Sequence, residues 1–345
     1  MNRTIDGRLA YADLLRVLAT IAAVILSTSV YWLDRSAGGS AAVLRTYSVL
    51  TRWCAPLFVM LSGAFLLDPK KSVRLRDILL RYILRVALAV LVWGTVYALL
   101  GCRSFTWPNI RAALIGVIRG STKYHLPFLC IFIGLYLVTP ILRAFVRGAS
   151  RRDLHWFLLL AFLFCSLLPA LEVFTPRWAE LPVLWAGMLD LHLVLGYVGF
   201  YVAGFYLKNY TLGRLAELII YILGVLAVIA ALWGLHAWPS AAILTDYHAP
   251  HIVLISVAVF TLFRYVLGIS DERSRRQRLG GVARISFGIY LIHVFFLMLL
   301  DYFGITTLSF NPIASVPVLS AAVFLCSFVL AWLISKIPLL GRFLT

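Results

Sequence analysis

Acidic residues are scarce in this sequence. Asp and Glu together number 14 among 345 residues, against 31 Lys and Arg, and charged residues of both signs make up only 13% of the chain. Soluble domains carry about a quarter charged residues. The composition therefore excludes an ordinary soluble globular protein.

Cysteine is also sparse, and its placement argues against two further classes. The five Cys residues form no CxxC pair and have no His at ligand spacing: Cys54, Cys102, Cys130, Cys165 and Cys326. Such scattered residues are typical of small side chains in a core rather than of a disulfide framework. His248 and His251 are three residues apart in an outer loop without a third ligand, so no metal site is predicted.

Apolar residues, in contrast, are abundant. They make up 62% of the chain, and the mean hydropathy is +0.95. A helix crosses a bilayer with about 17 to 25 apolar residues. About ten segments approach or reach this length: 11–32, 53–68, 79–100, 124–142, 154–170, 188–207, 213–233, 251–268, 284–301 and 313–335. We therefore predict an all-α polytopic membrane protein, with about ten transmembrane helices and a single domain over residues 1–345. The first segment is interpreted as a retained helix, because a small-x-small cleavage site is missing.

The basic residues orient these segments. With the N-terminus in the cytoplasm, the inner connections carry more than twice as many Lys and Arg residues as the outer connections, in agreement with the positive-inside rule. About ten spans then place both termini in the cytoplasm. Because the surplus of positive charge serves topology, and no basic stretch forms a domain large enough to hold a groove, nucleic-acid binding is not predicted.

The longest outer connection, 101–123, is too short for a soluble catalytic domain. It contains WPNIRAALIGVIRG, for which we predict an interfacial helix. Any chemistry must therefore take place in or beside the membrane domain.

The first apolar segment contains DLLRVLATIAAVILSTS, with Arg16 near its inner end and Ser27 near its outer end. Eleven residues of helix separate the two positions by roughly 16 Å along the axis and about 20° in rotation, so both project from one face. A charge inside a bilayer usually marks a functional site. The alternative is that Arg16 reaches lipid phosphates and that the hydroxyls near residue 27 bond to backbone carbonyls of their own helix.

A second group of basic residues enters the third segment. Arg81 and Arg85 are four residues apart, and Arg74 and Arg76 precede them. Like charges one helical turn apart repel unless an anion lies between them, and guanidinium groups suit phosphate oxygens. The group predicts a phosphate-bearing cytoplasmic ligand. The alternative is binding of membrane lipid headgroups at an ordinary positive-inside boundary.

Five further polar residues fall in or near the apolar segments. His125 and Arg52 lie at the outer ends of their segments, level with Ser27. Asp190 and His192, near the outer start of the sixth segment, are candidates either for contacts with an acceptor or for ordinary interfacial residues. His293, near the middle of the ninth segment, is interpreted as a neutral imidazole bonded to a neighbouring helix.

The order of several motifs resembles that of a known family. These motifs are DLLRVLATIAAVIL, RWCAPLFVMLSGAFLL, RDILLRYILRV, YHLPFLCIFIGLYLVTPILR, GYVGFYVAGFYL, ISFGIYLIHVFFL and ISKIPLLGRFL. Nearly end to end, the chain resembles the acyltransferase-3 family, bacterial integral-membrane acyltransferases that O-acetylate surface and exported polysaccharides. The resemblance implies a multi-pass protein of the bacterial cytoplasmic membrane. It implies acetyl-coenzyme A as a donor substrate rather than a tightly bound cofactor, and a lipid-linked or nascent glycan as acceptor.

The chain departs from the family pattern at three positions. The helix-1 signature of the family is an arginine, ten residues and then a catalytic histidine; Arg16 matches the arginine, but the histidine position holds Ser27. The helix-3 arginines are commonly three residues apart in the family, whereas Arg81 and Arg85 are four apart. Pro127 follows YHL where an aromatic residue is usual.

The resemblance assigns roles to the candidate residues. Arg16 and residue 27 would form the catalytic face, and the arginines of the third segment would bind the coenzyme phosphates: Arg74, Arg76, Arg81 and Arg85. Arg52, Asp190 and His192 would face the acceptor.

Because a serine hydroxyl is a poor base near neutral pH, three hypotheses remain open. The family base has been replaced, so that binding is intact and turnover is low; His125 supplies the base instead; or the protein is a transporter or flippase of glycan or acyl groups.

Overall fold

The computed structural model describes residues 10–102, 104, 106–120, 123, 125–174, 191–266 and 280–345, without the side chains of residues 172, 174, 191–194, 339 and 342. Within these ranges the regular structure is helical, and no strand occurs.

The helices follow one another with short connections. The first half of the chain contains α1 (Ala10–Tyr31), α2 (Gly38–Thr51), α3 (Cys54–Leu66), α4 (Leu75–Leu100), α5 (Trp107–Ile118), α6 (Pro127–Gly148) and α7 (Arg151–Leu171). The second half contains α8 (Leu191–Asn209), α9 (Arg214–Ala237), α10 (Pro250–Tyr265), α11 (Gly280–Tyr302), α12 (Pro312–Ser335) and α13 (Pro338–Leu344). π-helical turns interrupt α4 at Ile78–Ile83 and α7 at Leu163–Leu167.

The all-α polytopic class is confirmed. In the described part of the chain, nine helical segments are long and apolar enough to cross a membrane. α8, at the place of the predicted sixth span, is a further apolar helix of 19 residues with a kink at Gly196. The 101–123 connection contains the predicted helix, α5, which packs against α4; its position relative to a membrane surface stays a prediction.

The second span begins earlier than predicted. The sequence placed its start at residue 53, but α2 and α3 together form a span of 29 residues, Gly38–Leu66. Polar residues interrupt the apolar run in this part of the sequence, so the hydrophobic pattern did not indicate α2. In the structure, the hydroxyls of Thr46 and Thr51 bond at 2.9 and 2.7 Å to carbonyl oxygens one turn earlier in the same helix, which satisfies them among apolar neighbours.

α1 lies at the centre of the described bundle. It contacts α2, α3, α10, α11 and α12, and many of its buried residues are alanines: Ala10, Ala12, Ala19, Ala22 and Ala23. Small side chains let helices approach closely in lipid, where close packing holds helices together. Because α1 is enclosed by other helices, its polar side chains must find partners inside the protein.

α3 and α8 cross at two glycines. A Cβ atom on Gly63 would overlap the carbonyl oxygen of Tyr201, and a Cβ atom on Gly204 would overlap the carbonyl oxygen of Met60. The two backbones are therefore in direct contact, and each glycine is required by its partner helix.

Ion pairs join helix ends on both sides of the bundle. The Lys208 ammonium at the end of α8 lies 2.6 Å from the Asp68 carboxylate that follows α3. Burial alone raises the pKa of Asp68, but hydrogen bonds from Lys208 and from a backbone N–H lower it below its ordinary value. At the opposite end, Arg35 after α1 lies 2.6 Å from Asp301 near the end of α11. These pairings agree with helices that alternate in direction, and the cytoplasmic location of the Lys208 end stays a prediction from charge.

Arg143, near the end of α6, caps the end of α3. It is buried and donates hydrogen bonds to the carbonyl oxygens of Leu66 and Asp68 at 2.5 and 3.0 Å, and to that of Lys71. The last carbonyl groups of a helix have no partner within the helix. Although the sequence assigned Arg143 only to the positive-inside count, it also satisfies these buried groups.

The glycine crossing yields a first prediction. Gly63→Ala or Gly204→Ala should lower the melting temperature of the purified protein, because a backbone overlap costs about 1–3 kcal/mol or more and exceeds the roughly 1 kcal/mol gained in helix propensity. Gly134→Ala is the matched control, since Gly134 is exposed and no atom lies within 4 Å of its Cβ position. Equal melting temperatures for the three variants would contradict a direct backbone contact.

The arginine cap yields a second prediction. Arg143→Met should destabilise the protein by about 3 kcal/mol, because it leaves buried carbonyl groups without their charged donor. Arg147→Met, one turn later on the exposed side of α6, should change stability little. The stability of both variants is measured by thermal or denaturant unfolding in the same detergent. A similar loss of stability in the two variants would show that Arg143 contributes only its charge.

Candidate active site

A cavity of about 470 Å³ lies between α1, α3, α4, α6 and α11, towards the Arg16 end of the bundle. We call it the inner cavity, because the charge pattern predicts that this end faces the cytoplasm. Three arginines from three helices line it: Arg16 of α1, Arg85 of α4 and Arg284 of α11. Five hydroxyl-bearing residues also line it: Ser62, Tyr82, Tyr136, Ser286 and Tyr290. No carboxylate is among the described residues that line this inner cavity, so its walls favour an anion.

Contacts hold two of these arginines in place. The guanidinium of Arg85 donates to the backbone oxygen of Thr345 and lies 5.0 Å from the ring centre of Phe287. Its Nε atom is buried and has no hydrogen-bond partner among the described residues, an arrangement that costs free energy unless a ligand or water accepts the bond. Arg16 lies 3.4 Å from Asp13, one turn earlier.

Arg85 lies deeper in the bundle than the other basic residues of α4. Arg81 is in the π-helical turn Ile78–Ile83, one turn nearer the start of α4. Tyr82 and Arg85 line the inner cavity. Arg81 is exposed and is not among the lining residues, and the same holds for Arg74 and Arg76.

A second cavity, of about 430 Å³, lies towards the outer end. Ser27, Arg52 and His125 line it together with the aromatic side chains of Tyr197 and Tyr247. Ser27 and His125 are each 5% exposed, so these two polar side chains are shielded from bulk solvent.

Arg52 is held rigidly at the wall of the outer cavity. Its guanidinium donates to the carbonyl oxygen of Thr245 at 2.7 Å and to the hydroxyl of Ser48 at 3.1 Å. It also lies 5.2 Å from the ring centre of Tyr247. Arg52 thus contributes a fixed positive charge to the outer cavity.

Three aromatic residues line both cavities: Phe58, Phe128 and Tyr290. The ring centres of Phe58 and Phe128 lie 6.1 and 6.5 Å from that of Tyr290. The Tyr290 hydroxyl donates to the carbonyl oxygen of His125 at 2.8 Å, which fixes this ring. We call the three residues the aromatic constriction, because the inner and outer cavities share them as lining residues.

Ser27 forms a hydrogen bond with a histidine from a distant part of the chain. Its Oγ atom lies 2.8 Å from Nε2 of His293 in α11. The other ring nitrogen, Nδ1, lies 2.6 Å from the carbonyl oxygen of Tyr290. Since a carbonyl oxygen only accepts, Nδ1 carries the proton in a neutral ring, and Nε2 is the acceptor for the Ser27 hydroxyl.

The neighbouring hydroxyls of α1 behave differently. Thr28 and Ser29 donate to carbonyl oxygens one turn earlier in α1, at 2.8 and 2.6 Å, as the alternative interpretation of the sequence expected. Ser27 contacts His293, and the ring centre of His293 lies 5.1 Å from that of His125. Residue 27 is therefore the polar position of α1 that joins a cluster of two histidines.

The predicted site residues divide into three groups. Arg16 and Ser27 line the two cavities that meet at the aromatic constriction, in agreement with their shared helical face, and Arg52 and His125 line the cavity of Ser27. Of the four arginines assigned to phosphate binding, Arg85 alone lines the inner cavity. Asp190 lies outside the described residues, and the side chain of His192 is not described.

Sequence reasoning left Arg284 and Tyr290 out of this site and did not identify the partner of His293. Arg284 was counted only as a charge of an inner connection, yet it lines the inner cavity. His293 was expected to bond to a neighbouring helix, and it does, but its partner Ser27 is 266 positions away in the chain. Tyr290 and His293 both fall in the motif ISFGIYLIH, which was the available signal for this part of the site.

The fold and the site define a class: a polytopic α-helical membrane protein with an arginine-lined inner cavity and a histidine-containing outer cavity. A family profile described as an acyltransferase domain matches residues 9–332, nearly the whole chain. The chain belongs to the acyltransferase-3 family. Neither the curated proteins nor the solved structures searched yield a match to it.

The aromatic constriction yields a third prediction. Cys54 lines the outer cavity, and Phe58 stands between that cavity and the inner one. In a chain whose other cysteines are replaced by alanine, Phe58→Ala should speed the labelling of Cys54 by an impermeant thiol reagent applied from the Arg16 side of the membrane. The labelling rate in oriented vesicles measures this effect.

The matched control is Phe65→Ala, because Phe65 lines the inner cavity and is not among the residues lining the outer one. Equal acceleration in the two variants, or none in Phe58→Ala, would show that Phe58 does not separate the cavities.

Proposed function

We propose that this membrane acyltransferase transfers an acetyl group from cytoplasmic acetyl-coenzyme A to a hydroxyl group of a surface or exported glycan. The observation that carries the proposal is a pair of neighbouring cavities inside the bundle that share the three residues of the aromatic constriction. One cavity offers positive charge at the inner end, and the other offers hydroxyl and imidazole groups towards the outer end.

The inner cavity supports a donor with phosphate groups. Arg16, Arg85 and Arg284 converge from three helices, and guanidinium groups bind phosphate oxygens with paired hydrogen bonds. The buried Nε of Arg85 has no partner among the described residues, which fits a site completed by a ligand. The thin acyl-bearing arm of the coenzyme would extend past Phe58 and Tyr290 towards Ser27.

The outer cavity supports an acceptor with hydroxyl groups. Tyr197 and Tyr247 offer apolar ring faces with polar edges, and Arg52 adds a fixed charge. The reacting groups would meet between the cavities, shielded from water that would otherwise hydrolyse the thioester. The acceptor would be a lipid-linked or nascent glycan, because the outer cavity would reach a glycan that is held at the outer face of the membrane.

The bacterial cytoplasmic membrane is the proposed location, with membrane lipids around the helices. The proposal rests on the family, together with the excess of basic residues in the inner connections.

A transporter or flippase is the rival function. Two cavities separated by a constriction also suit alternating access, in which a substrate site opens to one side at a time. Membership of an acyltransferase family favours the enzyme. The two functions differ in a measurable way, since the enzyme forms acetylated product and the transporter moves its cargo without forming an ester.

The fourth prediction tests the donor site. Arg85→Gln and Arg284→Gln should each weaken binding of coenzyme A to the protein in nanodiscs by roughly 10- to 100-fold, the equivalent of one lost charge-assisted hydrogen bond. Arg76→Gln, an exposed arginine of the same helix as Arg85, should bind as the unmodified protein does. Calorimetry measures binding, and melting temperature controls for folding.

Catalysis is tested in proteoliposomes in which the Arg16 end of the protein faces the outer solution. Acetyl-coenzyme A is added to that solution, and mixed polysaccharide is enclosed in the lumen. Acetylated glycan supports the proposed function. Absence of coenzyme A binding, or glycan flux without acetyl incorporation, would contradict it in favour of the transporter.

A further inference from the structure

We infer that Ser27 is a nucleophile that carries the acetyl group as an ester, with His293 as its general base. This inference rests on the proposed function and deepens it, because it assigns a two-step transfer to a site in which the family histidine is missing. Ser27 and His293 would together replace the histidine of the family's helix-1 signature.

The geometry is that of an activated serine. A nucleophile and its base are recognised by a hydrogen bond of about 2.6–3.2 Å, with the base oriented by a third group. Ser27 Oγ lies 2.8 Å from His293 Nε2, and the carbonyl oxygen of Tyr290 lies 2.6 Å from Nδ1. The third group fixes the tautomer in which Nε2 accepts the serine proton.

The burial of the two residues gives them different roles. Ser27 lines the outer cavity, while His293 has no exposed surface and is not among the residues lining either cavity. A substrate in the outer cavity therefore meets the Ser27 hydroxyl, with His293 behind it. A direct attack on the thioester, with His293 taking the acceptor proton itself, would require the acceptor to displace Ser27.

Each step of the reaction balances. Ser27 Oγ attacks the thioester carbonyl carbon, its proton passes to His293 Nε2, and the C–S bond breaks to release the coenzyme thiolate, which takes that proton. The acceptor hydroxyl then attacks the acetyl carbon on Ser27 and gives its proton to His293. The bond between the acetyl carbon and Ser27 Oγ breaks, so the acetyl group stays on the acceptor oxygen as an ester. Ser27 Oγ takes the proton back from His293.

The rest of α1 supplies a matched control. Ser29 is also buried near the outer end of α1, but its hydroxyl donates to the carbonyl oxygen of Ile25. Without a base as its partner, Ser29 is not an activated nucleophile. The two serines thus differ in the one contact on which the inference depends.

The fifth prediction is a trapping experiment without acceptor. Protein in nanodiscs is mixed with radiolabelled acetyl-coenzyme A, quenched in acid, and analysed by counting and by mass spectrometry of the peptide that contains residue 27. We expect up to one acetyl group per chain at Ser27, released by hydroxylamine, which cleaves esters. Ser27→Ala should abolish the label, Ser27→Cys should retain it as a thioester, and Ser29→Ala should leave it unchanged.

His293→Gln should slow the labelling by roughly 10²- to 10⁴-fold, the usual contribution of a general base, while coenzyme A binding is retained. Binding and melting temperature are measured on every variant, so a misfolded variant is recognised. The retained binding distinguishes loss of the base from loss of structure.

The outcomes separate this inference from the proposed function. Acetylated glycan that forms without label on Ser27, at the same rate in Ser27→Ala, overturns the inference and leaves the proposed function standing. Loss of product in His125→Gln together with normal turnover in Ser27→Ala assigns direct base catalysis to His125, and also overturns it. Absence of both coenzyme A binding and product overturns the proposed function as well.

Discussion

The interior of a membrane offers no water to hydrogen-bond with polar groups, and this constraint governs the structure. Backbone groups are satisfied within helices, and the polar side chains inside the bundle need partners of their own. Thr28 and Ser29 bond to their own helix, and Arg143 caps the end of α3. Ser27 and His293 satisfy each other. The same hydrogen bond that satisfies two buried polar groups also places a hydroxyl group in contact with an imidazole nitrogen that accepts its proton.

Close packing makes these pairings possible. α1 is rich in alanine and is enclosed by five helices, and α3 and α8 touch through Gly63 and Gly204. Such tight contacts leave the remaining space in defined cavities. The aromatic constriction divides that space, so that the arginine-lined part and the histidine-containing part can hold different chemical groups while sharing a boundary.

The sequence predicted the class, the approximate number of spans and the shared face of Arg16 and Ser27, because apolar length and helical rotation are local properties. It missed α2, whose polar residues interrupt the apolar run although their hydroxyls bond within the helix. It placed Arg81 with Arg85, because spacing along one helix does not show how deeply each side chain is enclosed by other helices; Arg81 is exposed and Arg85 lines the inner cavity. It expected His293 to bond to a neighbouring helix but did not identify Ser27 as the partner, since no local pattern connects residues 266 positions apart.

What the sequence by itself determined is the membrane class, the family resemblance and the absence of the family histidine at residue 27. The tertiary structure decided which groups surround that position. Only the packing of α11 against α1 brings His293 to Ser27, and only the carbonyl oxygen of Tyr290 sets the tautomer that lets the imidazole accept the serine proton. Proton acceptance depends on the distance and orientation of two side chains, and these follow from how helices pack rather than from the order of residues along any one of them.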